Sequence, residues 1–173
     1  MQNQTSSQNK TLSTSATRQR VWRYGPLLLW IILISFASTS EFSAANTSQL
    51  FRPLLLWLFP TLSETRLETL HFLTRKLGHF TEYAVLAFLA RRAFISSSNQ
   101  FLRRKWFQLG LALVVIYAFL DELHQHFEPT RTASIYDSCI DVVGGLSVLL
   151  FCKLWSKEAE RRKSRAYHEP AEG

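Results

Sequence analysis

The chain is poor in several features, and each shortage closes off a reading. It has only two cysteines, Cys139 and Cys152, in 173 residues. On one helix they would stand about 20 Å apart, well beyond disulfide reach, so both are read as packing residues. No acidic residue precedes Glu41, and none lies between Arg91 and Lys105. No motif carries an activated nucleophile. No nucleic-acid-binding motif accompanies the excess of Lys and Arg, so the net charge of +7 does not point to nucleic acid as a partner. No apolar stretch reaches the roughly 17–25 residues of a spanning helix unless its polar end is included.

Four such stretches are nevertheless present: Tyr24–Ser40, Leu77–Ile95, Trp106–Leu120 continuing through Asp121 towards Phe127, and Ile135–Leu154. Their flanks distinguish them from helices of a soluble bundle. Of the 20 basic residues, 15 lie before the first stretch, between the second and third, or after the fourth. Lys and Arg accumulate on the cytoplasmic side of spans, and this alternation is what four crossings with both termini inside would produce. Trp22, Trp106 and Trp155 fall at three of the cytoplasmic ends, where an aromatic belt is expected.

The expected architecture is therefore an all-α membrane bundle of four transmembrane helices, about 24–40, 77–95, 106–123 and 135–154, in a plasma membrane. One domain covers 21–155. Residues 1–20, rich in Ser, Thr, Gln and Asn, are expected as a disordered cytoplasmic tail, and 156–173 as a basic one. A cleaved signal peptide competes for the first stretch, with an apolar region from Pro26 to Ala37 and small residues at Ser43 and Ala45. The basic segment ahead is long and the apolar core extended, which favours a retained helix. Between the first two spans, Pro53–Pro60 is too short to cross and reads as an interfacial or re-entrant segment. Thr61–Glu64 suggests a capping box. Leu67, Leu70, Leu73 and Leu77 then continue an amphipathic helix into the second span.

With the N-terminus inside, the polar residues of the spans gather near the outer face. Lys76, His79 and Tyr83 share one side of the second span, and Glu82 is turned about 100° away from Tyr83. Asp121, Glu122 and Gln125 end the third span, and Asp137 and Asp141 open the fourth, with Arg131 in the loop between. Ionisable groups at such depth are costly and normally pair inside the bundle, so an outer-leaflet polar pocket is expected. Snorkelling of the shallower groups to the interface is the plainer reading, and Gly144-Gly145 fits close helix packing. Glu122 and His126 have i, i+4 spacing but no second matching pair, so no metal site and no cofactor are expected.

The run Lys76-Leu77-Gly78-His79-Phe80-Thr81-Glu82-Tyr83 with Leu86, followed by Asp121-Glu122, Gln125, Phe127, Pro129, Arg131, Asp137, Asp141 and Gly144, resembles the two signatures of the VanZ-like family. Thr130 departs from it, since the family usually has Gly before the Arg, and His124 and His126 stand outside the pattern. The resemblance implies a bacterial, membrane-embedded protein of the cell envelope. The founding member is associated with low-level resistance to the glycopeptide antibiotic teicoplanin.

The polar pocket, taken with that resemblance, suggests a binding protein for an amphiphile: a glycopeptide antibiotic, a lipid-linked wall precursor or a lipid head group, with membrane lipids as its surroundings. The alternative is an intramembrane enzyme acting on an envelope lipid, with His79 or Glu82 and Asp121 or Asp141 as acid and base. A proton-coupled transporter would need polar groups through the inner half as well, and none of note occur there.

Overall fold

The computed structural model describes residues 2–39, 44–127 and 134–168, all of them in helices or short connections. The helices are α1 (Gln2–Ala37), α2 (Ala44–Leu58), α3 (Glu64–Ile95), α4 (Gln100–Arg104), α5 (Trp106–His126) and α6 (Ile135–His168). Three segments are long and apolar enough to cross a membrane: Thr17–Ala37, Trp106–His126 and Ile135–Arg165. The chain is a helical membrane protein. Its outer surface agrees, with Leu28, Ile32, Phe88, Phe119, Val143 and Phe151 all exposed. An apolar surface of this extent in water would aggregate, whereas against lipid tails it carries no such penalty.

The second expected span does not qualify on composition, because Glu82, Arg91 and Arg92 all fall within 77–95. It forms the C-terminal part of the 32-residue α3, the central helix of the bundle, which packs most extensively on α6, then on α5 and α1. The contacts fix the directions. Lys76 meets Asp137 and His79 meets Asp141, so α3 and α6 run parallel. Ser35 meets Tyr117 and Ser38 meets Asp121, so α1 and α5 also run parallel. Trp30 donates to the Glu82 carbonyl and Tyr24 bonds Ser97, so α1 is antiparallel to α3.

Small residues permit the close approach at the centre. A Cβ at Gly144 would collide with the Phe80 carbonyl, and one at Gly145 would lie 2.6 Å from a Val114 methyl. Ala87, Ala90, Ala93 and Ala118 are fully buried in the same core. As between helices in lipid generally, small side chains bring backbones together where no hydrophobic drive exists.

Several expectations change. Residues 2–20 continue α1 rather than forming a structureless tail. No Gly or Pro interrupts the chain before Gly25-Pro26, and Pro26 is itself carried inside the helix. The proline-bracketed segment belongs to α2, which begins at Ala44 and carries Pro53 internally. The helix lies against α3, with Phe51 and His71 rings 6.1 Å apart and Arg52 2.5 Å from Glu64. The capping box does not form: the N-cap of α3 is Ser63, without a side-chain bond. A side-chain cap is instead found at Asn99, which accepts from the Phe101 N–H at 2.9 Å and starts α4.

At one end of the bundle basic and aromatic groups meet: Arg91 lies 5.4 Å from the Trp106 ring centre and Lys153 lies 4.4 Å from that of Phe107. The opposite end holds the acidic cluster of Asp121, Glu122, Asp137 and Asp141.

Candidate functional site

The acidic end is assembled from four helices. From α3, Lys76 and His79 sit one turn apart. From α6, Asp137 and Asp141 sit at i, i+4. Parallel packing sets the two pairs one above the other, as Lys76 Nζ with Asp137 Oδ1 and His79 Nδ1 with Asp141 Oδ1 at 3.2 Å. α5 contributes Asp121, whose Oδ1 accepts from Ser38 Oγ of α1 and whose Oδ2 accepts from Gln125 Nε2 at 3.0 Å. These groups are interior: Asp121 is 6% exposed, Gln125 2% and Asp141 0%. A carboxylate in such a place costs several kcal/mol unless it is paired and hydrogen-bonded.

The expected residues do not all do the same thing. His79, Asp121 and Asp141 come together, each offering one ligand-type atom within 4.8 Å of the others. Glu122 turns away, accepting from the Ser134 N–H at 2.6 Å and tying the start of α6 to α5. His126 is exposed, so the Glu122–His126 pair is not assembled. Tyr83 is fully buried, its ring 6.4 Å from that of Tyr117. Glu82 is half-buried beside the cavity described next. Lys76 is engaged by Asp137 and lies over the Phe72 ring at 5.0 Å. Arg131 lies outside the described residues, as do Glu128, Pro129 and Thr130.

A cavity of about 290 Å³ opens beside this cluster, between the end of α1, α2 and the first half of α3. His79, Ser38 and Gln125 form its wall on the cluster side, and Phe51, His71 and Arg75 line it on the other. The Nη1 atom of Arg75 is buried there without a hydrogen-bond partner among the described residues. Burial, together with the neighbouring Arg75 charge, holds the His71 imidazole below its ordinary pKa of 6.5 and favours the neutral ring.

Two residues of this site escape a reading of the sequence. Ser38 lies in an apolar stretch and looks like a tolerated small residue; only its contact with Asp121, 83 positions away, gives it a role. Arg75 looks like one of a pair of interfacial cations with Lys76, and the helix then separates them, one to α6 and one to the cavity.

Two of the deepest groups remain incompletely satisfied. Among the described residues neither oxygen of Asp141 has a hydrogen-bond partner, and the nearby His79 Nδ1 is not aligned for one. Buried polar atoms are nearly always paired, so these unsatisfied atoms mark the cluster as the candidate site.

No curated protein and no solved structure matches the chain. The profile of the VanZ/LLP1 family matches residues 4–156, which takes in nearly all of α1, α2 to α5, the acidic cluster and α6 as far as Ser156. The chain, with its His79–Asp141 pair held between parallel helices, belongs to the VanZ/LLP1 family.

Proposed function

We propose that this is a four-span protein of the bacterial plasma membrane whose cavity receives the anionic head group of an amphiphile from the outer leaflet. The observation that carries the binding reading is the half-buried Arg75 side chain, which lines a 290 Å³ cavity and whose Nη1 has no hydrogen-bond partner among the described residues. A phosphate or carboxylate oxygen is the natural acceptor for such a donor. The exposed apolar faces of α2 around Leu54 and Trp57 leave room for an acyl or prenyl tail in the bilayer beside it.

Helix directions support four crossings. If α1 and α5, which are parallel, both cross, the chain between them must cross back. α2, with 15 residues, reaches only about 22 Å. α3 alone is long enough, and the three charged residues of its 77–95 stretch are placed where a span tolerates them. Glu82 is at the cavity, and Arg91 and Arg92 are at the basic end. With the basic end in the cytoplasm, both termini are inside and the cavity faces out.

The test is binding by the purified full chain in a neutral detergent. Three arms distinguish sources of the same chemistry: a short-chain phosphatidylglycerol, a polyprenyl pyrophosphate and an acylated glycopeptide, with phosphatidylcholine as the zwitterionic control. At least one arm binds better than the control, and Arg75→Gln weakens it about 10–100-fold, the value of one charged hydrogen bond. Equal binding of all four, or no effect of the substitution, overturns the reading.

A second reading, chemistry on that head group, is favoured by His79 and Asp141 standing 3.2 Å apart next to the cavity, as an acid–base pair would. Lipid analysis of a deletion strain separates the two. A new or missing lipid species supports catalysis, and an unchanged lipid profile supports binding alone.

A further inference from the structure

We infer that His79, Asp121 and Asp141 form a binding site for one zinc-class divalent ion. The three side chains come one each from α3, α5 and α6, and their ligand atoms lie within 4.8 Å of one another. Ligands around a zinc ion at about 2.0–2.2 Å stand roughly 3.3–3.6 Å apart, so contraction by about 1 Å, within reach of small side-chain rotations, closes the set. One imidazole nitrogen with carboxylate oxygens suits zinc better than magnesium or calcium, which take oxygen alone.

Charge and hydrogen bonding argue the same way. Asp121 and Asp141 bring two negative charges into one buried layer, and His79 can offset at most one of them. Lys76 is committed to Asp137. Asp141 is wholly buried, yet neither oxygen accepts a hydrogen bond from the described residues, Oδ1 having only the ion-pair contact with His79 Nδ1 at 3.2 Å. Asp121, by contrast, is held on both oxygens by Ser38 and Gln125. Each oxygen keeps a second lone pair, and outer-sphere donors of this kind orient ligating carboxylates in metal sites. His79 also lines the cavity, so a coordination position not filled by protein would face the space where a small ligand or water can enter. The inference does not depend on whether an amphiphile binds there.

The experiment uses the full chain in detergent, stripped with a chelator and titrated with Zn²⁺ alone by equilibrium dialysis and elemental analysis. The wild type takes up about one zinc per chain. X-ray absorption at the zinc edge shows only nitrogen and oxygen neighbours near 2.0–2.1 Å. Asp141→Asn weakens binding at least 100-fold, and Ser38→Ala, which leaves all three ligands in place, weakens it about 10-fold. A double variant His124→Ala/His126→Ala keeps wild-type affinity. No saturable zinc in the wild type, sulfur in the zinc shell, or zinc lost with His124 and His126 but retained in both Asp141→Asn and Ser38→Ala overturns the inference. If Asp141→Asn does not fold, Ser38→Ala and the absorption spectrum decide alone. Amphiphile binding without zinc would refute this site and leave the cavity reading intact.

Discussion

Replacing Gly144 by Ala tests how the acidic cluster is held. The new Cβ would collide with the Phe80 carbonyl oxygen and lie 3.0 Å from the carbonyl carbon and Cα of the same residue. These are backbone atoms in the middle of a helix, and no rotamer change moves them. Restoring ordinary contact requires α3 and α6 to part by about 1 Å, and overpacking of this kind costs about 1–3 kcal/mol. The damage is not confined to packing. Phe80 follows His79 directly, and Gly144 is one turn from Asp141, so the 3.2 Å separation of that pair would widen as well. Gly145→Ala is milder, because its obstacles under 3.0 Å, the two Val114 methyls at 2.6 and 2.8 Å, belong to a side chain rather than to backbone, and the Tyr83 carbonyl stands off at 3.3 Å. Gly78→Ala meets nothing within 4 Å and gains up to about 1 kcal/mol of helix propensity. Thermal unfolding in mild detergent, read by size-exclusion of the heated samples, should rank them: Gly144→Ala lowest by about 5–10 °C, Gly145→Ala between, and Gly78→Ala at or above the wild type. If Gly144→Ala is as harmless as Gly78→Ala, the close approach of α3 and α6 is wrong, and with it the placement of His79 beside Asp141.

Other outcomes follow from the same geometry. Cysteines at 79 and 141, in a Cys139→Ser, Cys152→Ser background, should cross-link with a short reagent, whereas a pair at 79 and 122 should not; equal yields would refute the pairing. Reporter fusions after Asn99 and at the C-terminus should be active only as cytoplasmic reporters, and one near Ser48 only as an external one; an external C-terminus would remove the four-crossing topology. His71, outside the span, should titrate below 6.5 in an NMR experiment, and Arg75→Gln should move it upward by removing a like charge and some of the burial. Because the folded-state value is depressed, protonation favours the unfolded chain. His71 therefore costs no stability above about 6.5 and a growing amount as pH falls through that value towards the lower folded one. A titration at or above 6.5 contradicts the burial of this ring in the cavity wall.

The sequence carried more of the fold than of the site. Ile95, Trp106 and Ile135 are helix limits that coincide with changes in hydropathy, because apolar runs and helix ends answer to the same bilayer. The central helix is the exception: its polar residues lower its hydropathy, and α3 packs against α6, α5 and α1 at once. Periodicity also gives depth along a helix, which is how His79, Asp121 and Asp141 could be placed at one level. It gives no azimuth between helices. That Lys76 turns to Asp137 while Arg75 turns to the cavity, and that Glu122 serves Ser134, depends on how the helices are rotated against each other. The role of Ser38 likewise exists only once α1 is laid against α5.

The central claim is that the cavity beside His79 is open to the external face. A single cysteine at position 78 measures it directly, since a side chain there meets no atom within 4 Å and the residue lines the cavity. In the Cys139→Ser, Cys152→Ser background, Gly78→Cys in cells or spheroplasts with an intact plasma membrane should react with a membrane-impermeant maleimide added outside. Labelling that appears only after lysis, or not at all, would contradict the claim.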